Sequence, residues 1–155
     1  MYILTTIKMK LSITILCFLF FTTIAVAQKN TSLPYKEAKR YFLKNNIDPH
    51  SIHNPKIDTK EEFERLFGQA TVMGKDGTPT KIDFSKEYVI AVVENETDKD
   101  INLVPKSLKK AKKGDLIFEF QLKEGQAKGF NSVPSLLIVV DRKHKGNVVL
   151  KKITK

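Results

Sequence analysis

The chain is poor in the residues that mark several specialised classes of protein. Its 155 residues include one cysteine, no tryptophan, seven glycines and six prolines. A single cysteine excludes an intramolecular disulfide framework, and so few glycines and prolines exclude a collagen-like or low-complexity composition. The chain also lacks the charge excess of a disordered protein, because 41% of its residues are apolar and 28% are charged, with both signs present. This composition predicts an ordinary globular domain.

Long hydrophobic runs are also absent, with one exception near the N-terminus. Residues 11–24 are uncharged and mostly apolar, Lys8 and Lys10 precede them, and the small-residue sequence Ala-Val-Ala follows at residues 25–27. A helix needs roughly 20 apolar residues to span a bilayer. A run of 14 residues therefore favours a signal peptide over a transmembrane anchor.

We expect cleavage between Ala27 and Gln28, so that residues 1–27 are the signal peptide. Residues 28–155 then form a single exported domain, located in the periplasm or outside the cell. This domain has no cysteine, because Cys17 is removed with the signal peptide. We expect it to have no transmembrane segment after cleavage and to be a monomer, stabilised by a packed core.

Lysine dominates the charge of the exported part. Without Lys8 and Lys10, 25 basic side chains remain against 17 acidic ones, a formal charge of +8. The densest basic run, at residues 106–113, is predicted to be a turn between two strands, because Gly114 and Asp115 follow it. The run contains none of the aromatic residues or arginines that nucleic-acid sites use, so we expect no nucleic-acid partner. An alternative interpretation of the charge is a basic protein associated with the cell envelope.

One helix is predicted, at residues 60–67. Thr59 can cap its first turn and Glu62 can reach back to the cap amide, which is the capping-box arrangement. Gly68 is expected to end the helix. The apolar face of the helix carries Phe63, Leu66 and Phe67. We expect this face to pack on the sheet through Val89, Ala91 or Ile138.

The rest of the chain alternates between strand-like runs and turns. Extended runs are predicted at residues 40–44, 88–94, 101–108, 116–122, 135–141 and 148–153. Turns or loops are predicted at residues 95–100, 124–134 and 142–147. The predicted fold class is α+β, a single domain with a mainly antiparallel β-sheet of about five strands and one helix packed on it.

The common catalytic and cofactor motifs are missing from the sequence. It has no G-x-S-x-G nucleophile elbow and no Walker or dinucleotide-binding glycine pattern. His50 and His53 lie three residues apart without further ligands nearby, so we expect them at the surface. Asp83, Glu87 and His144 define an alternative, a small hydrolase, although Asp83 also suits the cap of a turn. We expect no enzymatic activity, no cofactor and no metal.

Two predicted loops are candidates for a binding surface. The loop at residues 124–134 holds Phe130 between Gly129 and Asn131. An aromatic side chain there either folds back over the sheet edge or stands out as an anchor for a partner. The second loop contains the candidate binding residues Gly74, Lys75, Asp76 and Gly77. Loops that project from a rigid scaffold are a common location of binding residues.

Three sequence segments carry a resemblance to known families. They are Phe-x-x-Leu-Phe at residues 63–67, Ile-Asp-Phe-Ser-Lys-x-Tyr-Val-Ile-Ala-Val at residues 82–92, and Pro-Ser-Leu-Leu-Ile-Val-Val-Asp at residues 134–141. In this order they resemble small exported proteins of Bacteroidota and, more distantly, the C-terminal domain of PrcB-type protease-complex proteins. The resemblance covers residues 58–150 and implies a β-rich periplasmic module that binds or stabilises a protease.

The sequence therefore predicts a non-enzymatic exported binding module. The resemblance supplies no catalytic residue, and the residues themselves supply no catalytic constellation. The partner is expected to be a protein, in the most concrete form a protease that the module inhibits or stabilises. The hydrolase and the basic envelope protein stay open as alternatives.

Overall fold

The computed structural model describes residues 31–71, 73–74 and 77–154. The predicted signal peptide and its cleavage site lie outside the described residues. One α-helix, α1, covers Lys60–Leu66, and a single 3-10 turn covers Pro49–Ser51. The strands in chain order are β1 Thr31–Leu33, β2 Lys36–Glu37, β3 Tyr41–Leu43, β4 Lys56–Ile57, β5 Phe67–Gln69, β6 Glu87–Val93, β7 Thr97–Lys110, β8 Leu116–Ser132, β9 Ser135–Asp141 and β10 Val148–Lys152.

The strands form three sheets. The outer sheet has the order β1-β7-β8-β10, the central sheet has the order β2-β9-β6-β4, and the small sheet pairs β3 with β5. The α+β class is confirmed. The predicted strand number is wrong, because the described residues contain ten strands in three sheets and not about five. Several of the additional strands have only two or three residues, too few for a sequence pattern to reveal.

Strands β6 and β9 are antiparallel neighbours in the central sheet and are buried on both faces. On one face, Tyr88, Ile90 and Val92 join the core between the central and outer sheets. On the other face, Val89 and Ala91 join the core that α1 and the small sheet cover. Side chains alternate between the faces of a strand, so burial on both faces requires an apolar residue at every position. The predicted strands at these two runs are confirmed.

Helix α1 forms close to where the sequence predicts it. Thr59 caps it, and its Oγ1 accepts a hydrogen bond of 3.2 Å from the Glu62 amide. Phe63 and Leu66 are buried in the same core as Val89 and Ala91. The alternative contact with Ile138 is wrong, because that residue points to the opposite face of the central sheet and joins the other core.

The predicted role of Gly68 is also wrong. The helix has already ended at Phe67, whose extended backbone begins β5. Gly68 leaves room for the ring of Phe42, its partner across the ladder, since a Cβ atom there would lie 2.6 Å from Phe42 Cζ and the ring would have to move. The aromatic ring covers the bare backbone of the glycine, a known way to stabilise glycine in a sheet.

The β7–β8 hairpin is confirmed, but both of its strands are longer than predicted. The predicted turn at residues 95–100 is mostly the start of β7, and the predicted loop at residues 124–134 is mostly the end of β8. Of the lysine run predicted as a turn, Lys106, Lys109 and Lys110 lie in β7, and only Lys112 and Lys113 lie in the turn. Backbone hydrogen bonds across the ladder hold these polar residues extended, against their local preference.

Strand β10 is an edge strand, as predicted, but it pairs with β8 in parallel. The chain leaves β9 in the central sheet and crosses to the outer sheet through residues 142–147. Val148 then pairs with Leu116, the first residue of β8, so β10 starts where β8 starts and runs in the same direction. The expectation of antiparallel pairing therefore fails for this pair. Among the described residues, the two cores are built from side chains between Leu33 and Leu150.

Candidate binding site

The β7–β8 ladder is irregular where the chain crosses between the central and outer sheets. Thr97 pairs with Ser132, and Lys99 pairs with Ala127, so two steps along β7 correspond to five along β8. The surplus residues of β8 form a bulge, which we define as residues 128–131. Gly129 within it has a φ of 78°, a left-handed conformation that glycine adopts without steric cost. Bulges of this kind redirect the local side chains.

Phe130 lies in the bulge and is 63% exposed. This exposure excludes the interpretation of Phe130 as a plug over the sheet edge. The Lys128 ammonium lies 5.1 Å from the centre of the Phe130 ring and donates a hydrogen bond of 2.5 Å to Ser132 Oγ. A cation over an exposed aromatic ring stabilises by about 0.5–1 kcal/mol, so Lys128 restrains the ring while leaving it open to solvent.

An open groove of about 600 Å³ lies next to the bulge. One wall is the segment that follows β3, and the other is formed by the end of the bulge and the crossing between β6 and β7. The apolar residues that line the groove are Phe42, Leu43, Ile47, Pro49 and Val133. The polar residues that line it are Lys44, Asn45, Asn46, Asp48, Glu96, Asn131 and Ser132.

The wall that follows β3 is held in place by local hydrogen bonds. The Lys44 amide donates to the Leu66 carbonyl, and the Ile47 amide donates to the Lys44 carbonyl, both at 3.0 Å. The Asp48 carboxylate accepts a hydrogen bond of 2.9 Å from the His50 amide and caps the 3-10 turn. These bonds tie the wall to the end of α1, so a ligand would meet a pre-ordered surface.

The charge inside the groove is mainly negative. Asp48 stands on one wall and Glu96 on the other, and neither forms an ion pair within the described residues. The ammonium of Lys44 donates to the carbonyl of Glu64, outside the groove lining. The groove thus combines apolar surface with two carboxylates, an arrangement that suits an apolar side chain flanked by a basic one.

The predicted binding loop at residues 73–79 lies elsewhere. Gly74 is exposed with a φ of 118°, and its carbonyl accepts from the Gly77 amide, whereas Lys75 and Asp76 lie outside the described residues. The neighbouring Thr80 bonds to Lys39 and accepts from the Tyr41 hydroxyl through its carbonyl. None of the loop's described residues lines the groove beside Phe130. The loop borders a separate depression of about 460 Å³ over Tyr41, Phe63, Phe67 and Phe84.

The residues of the hydrolase alternative are engaged separately. Asp83 accepts hydrogen bonds from the amide and hydroxyl of Ser85, which lower the pKa of its carboxyl. Glu87 accepts from the Asp83 amide and pairs with Lys36 at 2.8 Å. The Nε2 atom of His144 is buried and bonds to neither carboxylate. Asp83 therefore caps a turn, and no hydrogen bond joins the side chains of Asp83, Glu87 and His144 to one another.

Two further observations concern the described residues. No three His, Cys, Asp or Glu side chains among them come close enough to hold a metal ion. No helix in this part of the chain has both the length and the hydrophobicity to cross a membrane.

Comparisons with protein-family models, with curated proteins and with solved structures found no match.

The sequence contains signals for features that the predictions missed. Gly125 and Gly129 fall within β8, and glycine inside a strand often marks a bulge. The Asn45-Asn46 pair marks the turn that builds the first wall of the groove. No local pattern indicates that these two segments face one another, because almost ninety residues separate them in the chain.

Proposed function

We propose that this protein is a non-enzymatic exported binding module whose partner is a protein. The observation that carries the proposal is Phe130, an aromatic side chain exposed on a bulge next to an open, pre-ordered groove. Exposing a large aromatic ring forfeits roughly 1.5–3 kcal/mol of burial, a cost that a binding anchor recovers in the complex. The groove supplies further apolar area around that anchor.

The chemistry of the groove favours a particular kind of partner segment. Asp48 and Glu96 offer carboxylates on opposite walls, and the asparagine amides offer donors and acceptors. A segment with an apolar side chain next to a lysine or arginine would satisfy both. A loop or terminus of a protease is the most concrete form of this partner, and binding would inhibit or stabilise that protease.

The test compares how well the wild type, Phe130→Ala and Val149→Ala capture envelope proteins, each as the chain from Gln28 to Lys155. Phe130→Ala should leave the free energy of unfolding within about 0.5 kcal/mol, because the ring is exposed. It should weaken capture about 30-fold or more, since a central aromatic anchor contributes roughly 2 kcal/mol. Val149→Ala is the matched control, because Val149 is also an exposed apolar residue, 49% exposed, on the edge strand β10.

Equal capture by the wild type and Phe130→Ala would refute the proposed site, as would an equal loss with Val149→Ala. Glu96→Lys separates the contributions of the groove and the ring. It should weaken capture of a basic segment by reversing the charge on one wall, with Phe130 intact. Where the captured protein is a protease, its activity on an unstructured substrate should fall for an inhibitor, and its half-life should rise for a stabiliser.

A further inference from the structure

Two turns meet at the end of the molecule opposite the groove. The turn between β7 and β8 and the turn between β9 and β10 touch through Gly114 and Gly146, where a Cβ atom on Gly146 would lie 2.2 Å from the Gly114 carbonyl oxygen. The Leu116 amide also donates to the Asn147 carbonyl at 2.7 Å. We define the basic end as residues 110–115, which are the last residue of β7 and the turn that follows it, together with residues 142–147. They are about thirty residues apart in the sequence and become one surface only in the fold.

The basic end carries six basic side chains and one acidic one. Two of the basic side chains are neutralised locally, since Arg142 pairs with Asp58 at 3.4 Å and Lys143 pairs with Asp141 at 3.0 Å. The other four are exposed and form no ion pair within the described residues. They are Lys110, Lys112, Lys113 and Lys145. The acidic side chain, Asp115, forms a hydrogen bond of 3.5 Å with the Asn147 amide group.

The acidic side chains that surround the basic end are already engaged. Asp83 pairs with Lys86 at 3.8 Å, and Glu87 pairs with Lys36 at 2.8 Å. Asp58 pairs with Lys56 at 3.3 Å as well as with Arg142. Apart from Asp115 within the basic end, these neighbouring carboxylates are paired with other cations, so four lysines face solvent against one unpaired carboxylate.

The start of the described chain lies at the same end. Thr31 is the ladder partner of Lys110. Only seven residue steps separate Thr31 from Ile24, the end of the apolar segment at residues 11–24. Seven residues span at most about 25 Å, so until the signal peptide is cleaved Thr31, beside Lys110 of the basic end, stays within about that distance of the apolar segment.

We infer that the basic end is a docking surface for the anionic headgroups of a phospholipid membrane. Each lysine close to such a surface gains roughly 1 kcal/mol, a factor of about five in affinity. The two turns present no large apolar side chain, so the binding is electrostatic and reversible. It is independent of the proposed function, because the groove and Phe130 lie at the other end of the central strands.

The test uses the chain from Gln28 to Lys155 and sedimentation with vesicles of two compositions. Vesicles that contain phosphatidylglycerol should bind the wild type, and pure phosphatidylcholine vesicles should not. The triple variant Lys112→Gln, Lys113→Gln, Lys145→Gln should bind about 100-fold more weakly, from three factors of about five. High salt should release the wild type, because screening weakens contacts between exposed charges.

The matched control has the same net charge. It carries Lys39→Gln, Lys106→Gln and Lys123→Gln, three exposed lysines outside the basic end that form no ion pair within the described residues. This control and Phe130→Ala should bind vesicles nearly as well as the wild type. Equal losses in the two triple variants would overturn the inference, since net charge alone would then explain binding. Duplex DNA that displaces the vesicles at matched phosphate concentration, through the same three lysines, would assign the surface to nucleic acid and overturn it too.

Discussion

Glu119 connects three strands of the outer sheet through one carboxylate. It lies in β8 and accepts from Lys109 at 2.6 Å and Ser107 at 2.7 Å, both in β7, and from Lys151 at 2.9 Å in β10. These hydrogen bonds, with that of Lys109 as the strongest cause, lower the pKa of Glu119 to about 2. The single carboxylate thus holds the parallel edge strand to the antiparallel hairpin, and its charged state is part of the folded structure.

This pKa predicts a specific loss of stability in acid. In the unfolded chain Glu119 takes up a proton near its usual pKa, whereas in the folded chain it stays ionised down to about 2. The stabilisation is complete above the usual value and disappears as the pH falls from about 5 to about 2. The free energy of unfolding, measured by denaturant titration at several pH values, should therefore fall more steeply in the wild type than in Glu119→Gln.

The control for this measurement is Glu37→Gln. Glu37 is exposed and forms no ion pair within the described residues. Its variant should follow the wild-type curve across the whole acidic range. If Glu119→Gln loses stability in acid with the same slope as the wild type, the ionised Glu119 does not stabilise the outer sheet.

Helix α1 shows how a short element depends on packing. Seven residues are too few for a helix to be stable in isolation, so its stability comes from the apolar face that it buries. Phe63 and Leu66 on this face are buried in the core. The centre of the Phe63 ring lies 5.0 Å from the centre of the Tyr41 ring and 5.3 Å from that of Phe67. Both helix side chains share this core with Val89 and Ala91 of the central sheet.

We therefore expect Leu66→Ala to lower the free energy of unfolding by roughly 2–5 kcal/mol, the range for deletion of a buried leucine. Leu66 is 2% exposed. The neighbouring Arg65→Ala, an exposed position of the same helix, should change it by about 0.5 kcal/mol or less. Thermal and denaturant unfolding measure both. A loss with Leu66→Ala as small as that with Arg65→Ala would contradict the core assignment.

The whole molecule is organised along the strands of the central sheet. Strand β6 runs from Glu87, near the basic end, to Val93, near the groove, and its seven residues span roughly 20 Å. The two turns that form the basic end close one end of the molecule, and the crossings between the sheets close the other. A membrane docked at the basic end would therefore leave Phe130 and the groove facing away from it.

Export is the prediction that belongs to the whole chain. Intact-mass analysis and N-terminal sequencing of the protein from cells should show a chain that begins at Gln28. A mature form that keeps residues 11–24, or that carries a lipid on Cys17, would contradict the signal-peptide prediction. In that case the basic end would stay tethered at the membrane, and vesicle binding by the chain from Gln28 would still be measured independently.

The sequence by itself determined the elements whose signals are local. The cap at Thr59 and the apolar face of α1 are set by residues three and four apart. The runs that became β6 and β9 are apolar at residues 88–93 and 136–140, and the β7–β8 hairpin has a clear alternation around residues 116–122. These patterns follow from the geometry of single elements, so they could be read without knowledge of the fold.

The tertiary structure alone decided how these elements pair. The extra length of β7 and β8 depends on cross-strand hydrogen bonds that hold polar residues extended. The bulge at Phe130 exists because two strands of unequal length share one ladder. Three features depend on contacts between segments that are far apart in the chain. They are the parallel pairing of β10 with β8, the groove, and the contact between the two lysine-rich turns. Such contacts leave no periodic trace in the sequence, because each depends on where a remote segment comes to lie.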